Sequence, residues 1–263
     1  MDEEKLGKIK KAVRTNFEAS SDTYVKFEEQ HGFFQRLNSV LVNLMALRKG
    51  CRILDVGCGT GASCRQMLDG ISGCTVVGID NSKAMLDAAR VRLGQSARIA
   101  LIHGDAAALK DHVEGSFDAI IYSASIFLIP DFRDSLRQAL ELLEPRGVLG
   151  MTFMDGLYDE NGRNLLAQAD IQAKQGVSLR KPVALTDLIS FLNELFPCVQ
   201  QKTEDFELHR DMLQDFFSVP AMSAGLFPGF AYEARLEKVI RLFAHLPEKK
   251  VLFRWALLVA VKA

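Results

Sequence analysis

The nine residues Ile53 to Gly61, ILDVGCGTG, decide the fold. Cys51 to Val56 is too short for a typical helix, and its Ile, Leu and Val suit a strand buried on both faces of a parallel sheet. Gly57, Gly59 and Gly61 then form the turn at its carboxyl end, where the backbone bends sharply and leaves room for a ligand. From Ala62 the pattern is helical, so free backbone N–H groups of the loop point at whatever sits there. The unit is a strand, a glycine loop and a helix.

Glycines in such a turn also occur only to pass a helix over a sheet, so the carboxylates beside them carry the argument. Asp55 stands two residues before the first glycine, at the expected rim of the loop, where it can accept a hydrogen bond from an ammonium group and would repel a pyrophosphate. Asp80 closes the next apolar run, CTVVGID, 19 residues past Gly61. That is the usual distance for a carboxylate that holds ribose hydroxyls. A ligand with a ribose, an amine and no phosphate suits both.

With DVGCGTG and GID in place, the chain resembles the class I S-adenosylmethionine-dependent methyltransferases. The likeness continues through HGDAAAL at 103–109, FDAIIYSAS at 117–125 and LRQALELLEPRGVLGMTF at 136–153, roughly the middle half of the chain. The resemblance implies a Rossmann-like α/β fold: a seven-stranded, mostly parallel sheet with helices on both faces, an N-terminal helical cap and a helical lid insertion. It implies S-adenosylmethionine as cofactor, with Gly57, Gly59, Gly61, Asp80 and Asn81 at its site and Met85 packed on the adenine. By the same resemblance Asp105 accepts from the adenine amino group and the Ala106 N–H reads the ring nitrogen, while capping of the next turn is the other role open to Asp105. Ser123, at the end of the fourth strand, is the residue there expected to touch cofactor.

Upstream, residues 1–48 are predicted helical and assigned to the cap, leaving 49–263 as the methyltransferase domain. Phe33, Leu37, Val40, Leu41, Leu44 and Met45 recur at helical spacing and give one apolar face. Phe17, Ser20 and Tyr24 are similar to a stretch of the biotin-pathway carboxyl methyltransferases that covers the cofactor. Tyr24 is therefore expected either near the sulfonium or as a packing ring.

Strands are expected at Thr75–Asp80, Arg98–His103, Phe117–Tyr122, Gly147–Phe153, Val199–Leu208 and Val251–Val261, the last two antiparallel. Helices are expected after Asn81 and Ser82, over Asp131–Leu143, and over Leu185–Phe196 with Thr186 as N-cap. Two acceptor-side insertions follow, 155–184, whose residues 155–182 read as irregular, and 209–250. The second carries Phe216, Phe217, Met222, Phe227 and Phe230, which either line a pocket or fold into a satellite core.

Net charge is −1, from 32 Lys plus Arg against 33 Asp plus Glu. That balance supplies no field toward nucleic acid or anionic lipid. The charged N-terminus lacks a signal-peptide core and no run is long enough to span a bilayer, so a cytoplasmic protein is expected. Its five cysteines form no CxxC pair and no cluster with histidine, which predicts free thiols and no metal. The stretch SASIFLIPDF lacks the histidines many relatives carry after the fourth strand, and no NPPY-like tetrapeptide is present. No catalytic base is assigned. The expected reaction is in-line methyl transfer to a small, partly apolar acceptor, with the acceptor atom and the oligomeric state open. The alternatives are a non-catalytic cofactor-binding or scaffold protein, a macromolecular acceptor, and, as Gly57, Gly59 and Ala62 nearly satisfy its fingerprint, a nicotinamide-dependent oxidoreductase.

Overall fold

A computed structural model describes residues 3–178 and 182–263. The chain opens with helices α1 (Glu3–Glu18), α2 (Ser21–His31) and α3 (Phe33–Met45). An alternation follows: β1 (Arg52–Val56), α4 (Ala62–Gly70), β2 (Thr75–Asp80), α5 (Lys83–Leu93), β3 (Ile99–His103), β4 (Phe117–Tyr122), α6 (Phe132–Leu142) and β5 (Leu143–Tyr158). The remainder runs α7 (Leu165–Ala173), α8 (Leu185–Leu195), β6 (Val199–Leu208), α9 (Arg210–Ser218), α10 (Pro220–Leu226), α11 (Tyr232–Phe243) and β7 (Val251–Val261).

The described strands form one seven-stranded sheet in the order β3-β2-β1-β4-β5-β7-β6. β1 to β5 are parallel, and β7 runs antiparallel between β5 and β6. Because β1 pairs with β2 on one side and β4 on the other, the strand order reverses at β1. A crevice therefore opens at the carboxyl ends of β1 and β4, the switch point where open α/β sheets bind ligands. Ile53, Leu54 and Val56 are fully buried, as a central parallel strand covered on both faces requires.

Helix α3 lays Phe33, Leu37, Leu41 and Met45 against the sheet, all buried. Its apolar stripe buries well because the residues repeat at three- and four-residue steps. Phe33 stacks on Phe253 of β7 at 5.3 Å, and Phe216 of α9 meets Phe27, Phe34 and Phe253 at 5.5, 6.0 and 5.4 Å. An aromatic hub thus ties the N-terminal helices to the 209–250 segment.

Three expectations require correction. β5 starts at Leu143, which pairs with Phe117 of β4, and runs to Tyr158, well beyond Gly147–Phe153, because β7 is long enough to pair with it to Leu252 across a bulge between Met154 and Gly156. The stretch 155–182 is accordingly less irregular than expected: its start completes β5, and Asn164 caps α7 by accepting from the Ala167 N–H at 2.9 Å. Its residues 179–181, like 1–2 of the N-terminal segment, lie outside the described residues. Thr186 is not an N-cap, since α8 already begins at Leu185 and Ala184 holds that position without a side-chain bond.

Candidate functional site

The turn after β1 is shaped by what its glycines avoid. Gly57, at φ +76°, would drive a Cβ to 2.6 Å from the Ser125 Cβ, while Gly61 would drive one into Leu93 and Ala89 of α5. Gly57 therefore lets the β4 loop close over β1, and Gly61 lets α4 pack on α5. Gly59 differs: at φ +52° its Cβ would meet nothing within 4 Å, and the residue faces the crevice. Its conformation favours glycine and its missing side chain leaves the space for a ligand.

Asp80 ends β2 beside that loop. The Gly59 N–H donates to its Oδ2 and the Ser82 N–H to its Oδ1, both at 2.9 Å, which fixes the carboxylate's orientation. Burial raises its pKa, opposed by these N–H bonds. The Ser82 Oγ then caps α5 by accepting from the Met85 N–H at 3.2 Å. Met85 itself is buried in the crevice wall.

The crevice holds about 840 Å³ including its open mouth. Of the residues expected at a cofactor, Tyr24, Gly57, Gly59, Asp80, Asn81, Met85, Ala106 and Ser123 line it. Asp55, Gly61 and Asp105 do not. Asp55 lies fully buried beneath the loop instead of at its rim: its Oδ2 accepts from the Ser63 hydroxyl and, at 3.2 Å, the Cys64 thiol, both in the first turn of α4. Its Oδ1 has no partner among the described residues. Burial pushes its pKa up to about 6, with Ser63 and Cys64 opposing. Gly61 is a packing glycine. Asp105 turns outward, where its Oδ1 accepts from the Ala107 N–H at 2.9 Å and its Oδ2 meets Lys10 of α1 at 2.8 Å, so in this structure it takes the capping role.

Lys10 also reaches Asp131, the N-cap residue of α6, at 2.6 Å. Burial alone would lower the Lys10 pKa, but the two carboxylates outweigh it and hold it above its ordinary value. At the C-terminal end of α1, the Glu18 carboxylate accepts from the Lys83 and Ala84 N–H groups at the start of α5, at 2.7 and 3.1 Å. The middle and the C-terminal end of α1 are thereby pinned beside the crevice, with Val13 and Phe17 lining it. Tyr24 stacks on Phe34 at 5.1 Å on the same side.

Sequence reasoning missed Asn38, Thr60 and Ala124. Asn38, buried on the apolar face of α3, accepts from the Ser123 hydroxyl and lines the crevice. A lone amide among Phe34, Leu37 and Leu41 was the available signal. Ala124 holds a left-handed φ of +52°, uncommon outside glycine, with its N–H bonded to the Thr152 hydroxyl at 2.8 Å. Nothing in SAS marks that conformation. Thr60 keeps its Oγ1 buried in the wall without a partner among the described residues.

Comparison with known proteins agrees with this geometry. Residues 53–147 match the family described as "Methyltransferase domain". The chain is 27% identical over 164 residues to the sterol 24-C-methyltransferase erg6 of Aspergillus fumigatus, covering 59% of this chain and 43% of that protein. It is 37% identical over 137 residues to the arsenite methyltransferase of Aquipseudomonas alcaligenes, covering 48% and 38%. The chain thus spans less than half the length of these relatives. Among solved structures, Haemonchus contortus phosphoethanolamine N-methyltransferase 2, in complex with phosphomonomethylethanolamine and S-adenosylhomocysteine, shares the fold at a TM-score of 0.55 and 20% identity, over 86% of this chain and 52% of that one. Residues 53–147 thus match a methyltransferase domain, on a fold shared with a solved methyltransferase structure.

Proposed function

From a methyltransferase domain at residues 53–147, we propose that the protein binds S-adenosylmethionine in the crevice at the β1–β4 switch point and transfers its methyl group to a small, partly apolar acceptor. The observation that carries this reading is the charge of the wall. Among the described residues it contains Asp80 and no Lys or Arg, so it suits a cationic ligand without phosphates. A nicotinamide dinucleotide would bring its pyrophosphate to a loop underlain by Asp55, where like charge in a dry site opposes it.

The residues fit the cofactor. Gly59 leaves an open cradle, and Asp80 is held by backbone donors on one side with its carboxylate in the crevice wall, placed to accept from ribose hydroxyls. Asn81, Met85 and the Ala106 backbone are assigned to the adenosine end. Tyr24, Asn38, Thr60 and Ser123 are assigned to the methionine end, with Gly57 shaping the turn; Asp55 and Gly61 support the loop from below. When bound there, S-adenosylmethionine would supply an activated sulfonium methyl, with the S–C bond electrons returning to sulfur as an acceptor electron pair takes the methyl. The chain's own contribution is alignment and exclusion of water, which suffice for an already activated donor. Val13, Phe17 and Tyr24 close the crevice, and the Lys10 and Glu18 contacts hold α1 in place over it.

Nucleic acid is not an expected acceptor. The five free cysteines suit a reducing compartment such as the cytoplasm, and no described helix is long and apolar enough to cross a membrane. The test is transfer of label from S-[methyl-³H]adenosylmethionine to a panel of neutral ring and chain acceptors carrying hydroxyl or amine groups. Stoichiometric label in one extracted product is expected; no transfer across the panel, with the cofactor bound, would favour a non-catalytic cofactor-binding protein.

A further inference from the structure

Two hollows have Leu128 in their walls. One is the crevice. The other is an apolar cavity of about 1460 Å³ including its open mouth, between the bulged end of β5, the start of α7, helices α9 and α10, and β7. Phe217 and Met222 of the 209–250 segment line it, while Phe216 and Phe227 are core and Phe230 is exposed under Lys238. No cysteine is among the described residues of that cavity, whereas the crevice wall includes Cys58, between Gly57 and Gly59. A small solute that enters the crevice therefore meets a thiol inside the cofactor loop.

A second thiol lies behind it. The Cys58 C=O accepts from the Gly61 N–H at 3.0 Å, closing a turn that leads directly into α4, and Cys64 stands in the first turn of that helix. The Cys58 and Cys64 thiols are in hydrogen-bonding contact. On its far side Cys58 rests against Gly78 of β2, where an added Cβ would come within 2.9 Å of its sulfur, so it has little room to turn away. Cys64 is completely buried, and its Sγ donates to the Asp55 Oδ2 at 3.2 Å. The pKa of Asp55, pushed up to about 6 by burial, still leaves it mostly ionised at neutral pH and able to take a proton. Contact with Cys64 favours a Cys58 thiolate, although burial keeps the Cys58 pKa above its ordinary value. Contact with Cys58 and burial together raise that of Cys64 well above its own, so Cys58 is the more acidic of the two and the better placed to react first.

We propose that Cys58 and Cys64 are an oxidative modification site: hydrogen peroxide entering the crevice oxidises Cys58, Cys64 closes a disulfide with it, and the cofactor loop is thereby disabled. In the first step the Cys58 sulfur attacks one peroxide oxygen, the O–O bond breaks, and Cys58 sulfenic acid and water result. In the second the Cys64 sulfur attacks the Cys58 sulfur and the S–O bond breaks. Asp55 takes the Cys64 proton and returns it to the departing hydroxide, which leaves as a second water. Two thiols are oxidised and one peroxide is reduced to two waters. The new bond draws Cys58 toward α4 and carries Gly59 with it, away from Asp80, whose Oδ2 accepts the Gly59 N–H at 2.9 Å. The loss of cofactor rests on the crevice being the methyl donor's site; the disulfide does not.

The sequence provides a clean readout, because tryptic cleavage after Arg52 and Arg65 releases residues 53–65, which contain Cys58 and Cys64 and no other cysteine. The full-length protein is treated with hydrogen peroxide, quenched with catalase, alkylated with iodoacetamide and digested. The 53–65 peptide is expected two hydrogens lighter and unalkylated, and S-adenosylhomocysteine binding, read by calorimetry before digestion, roughly tenfold weaker, the scale of a lost charge-assisted contact. Dithiothreitol should reverse both. Saturating S-adenosylhomocysteine, by covering Cys58, should slow disulfide formation about tenfold. In Asp55→Asn, Cys58 sulfenic acid should persist and be trapped by dimedone, and Cys64→Ser should give the same adduct with no disulfide. A 53–65 peptide that stays reduced, equal rates with and without S-adenosylhomocysteine, or a disulfide that leaves affinity unchanged would overturn the proposal. Failure of S-adenosylhomocysteine to bind the untreated protein would instead overturn the donor reading, with the disulfide still read from the peptide.

Discussion

The crevice at the β1–β4 switch point and the apolar cavity share the carboxyl-terminal region of one sheet but are built differently. The crevice is made by backbone: glycines at positive φ, N–H groups on Asp80, a loop folded over β1. The cavity is made by side chains, brought together from β5, α7, α9, α10 and β7. A backbone-made site needs particular residues at particular spacing, so it leaves a motif. A side-chain-made site needs only apolar volume, which many sequences supply equally well.

The largest test of that contrast is Phe216→Ala. Its ring touches Phe27 and Phe34 of the N-terminal helices and Phe253 of β7, so it joins the two regions. Truncation should cost about 3–5 kcal/mol of stability, read from urea unfolding. One cooperative transition at lower denaturant is expected; two separated transitions would show that the regions are not one folding unit.

Asp55 sharpens the crevice side. Its carboxyl titrates at about 6 in the folded protein against an ordinary 3.8. The folded state therefore holds the proton more tightly. That stabilisation is fully present below pH 3.8 and is lost as pH rises to about 6, a change of roughly 3 kcal/mol. Asp55→Asn should thus gain stability relative to the original protein between pH 4 and pH 7. A difference that does not change with pH would contradict burial as the cause.

Asp80→Ala should weaken S-adenosylhomocysteine by about 1.5–3 kcal/mol through lost charge-assisted hydrogen bonds. Because burial raises the Asp80 pKa and the ligand's hydroxyls favour its ionised form, affinity should rise with pH through its titration. Calorimetry across pH checks both, and a flat profile would remove Asp80 from the site. The smallest effect is Gly225→Ala on the cavity side. With free space at its Cβ and a helical position, it should stabilise by about 0.5–1 kcal/mol and leave cofactor affinity unchanged.

The same contrast explains what could be read in advance. Strands Thr75–Asp80 and Phe117–Tyr122 end where their apolar runs end, Val251–Val261 is itself an apolar run, and the mostly polar Val199–Leu208 was legible only by its alternation. The length of β5 was hidden, since it depends on how far β7 pairs with it. Gly57, Gly59 and Asp80 were legible as a spacing. The burial of Asp55 was not, because it depends on Ser63 and Cys64 turning back under the loop. Nor was the Asp105 contact with Lys10, which joins residues 95 positions apart. In the 209–250 segment, composition announced aromatic packing, but only the fold separates Phe217 at the cavity from Phe216 in the core.

The most direct measurement is calorimetric titration of the protein with S-adenosylhomocysteine beside NADH. Micromolar, one-to-one binding of S-adenosylhomocysteine with no heat from NADH is the predicted result. Binding of NADH, or of neither ligand, would contradict the account of a phosphate-free, cation-accepting crevice built on Gly59 and Asp80.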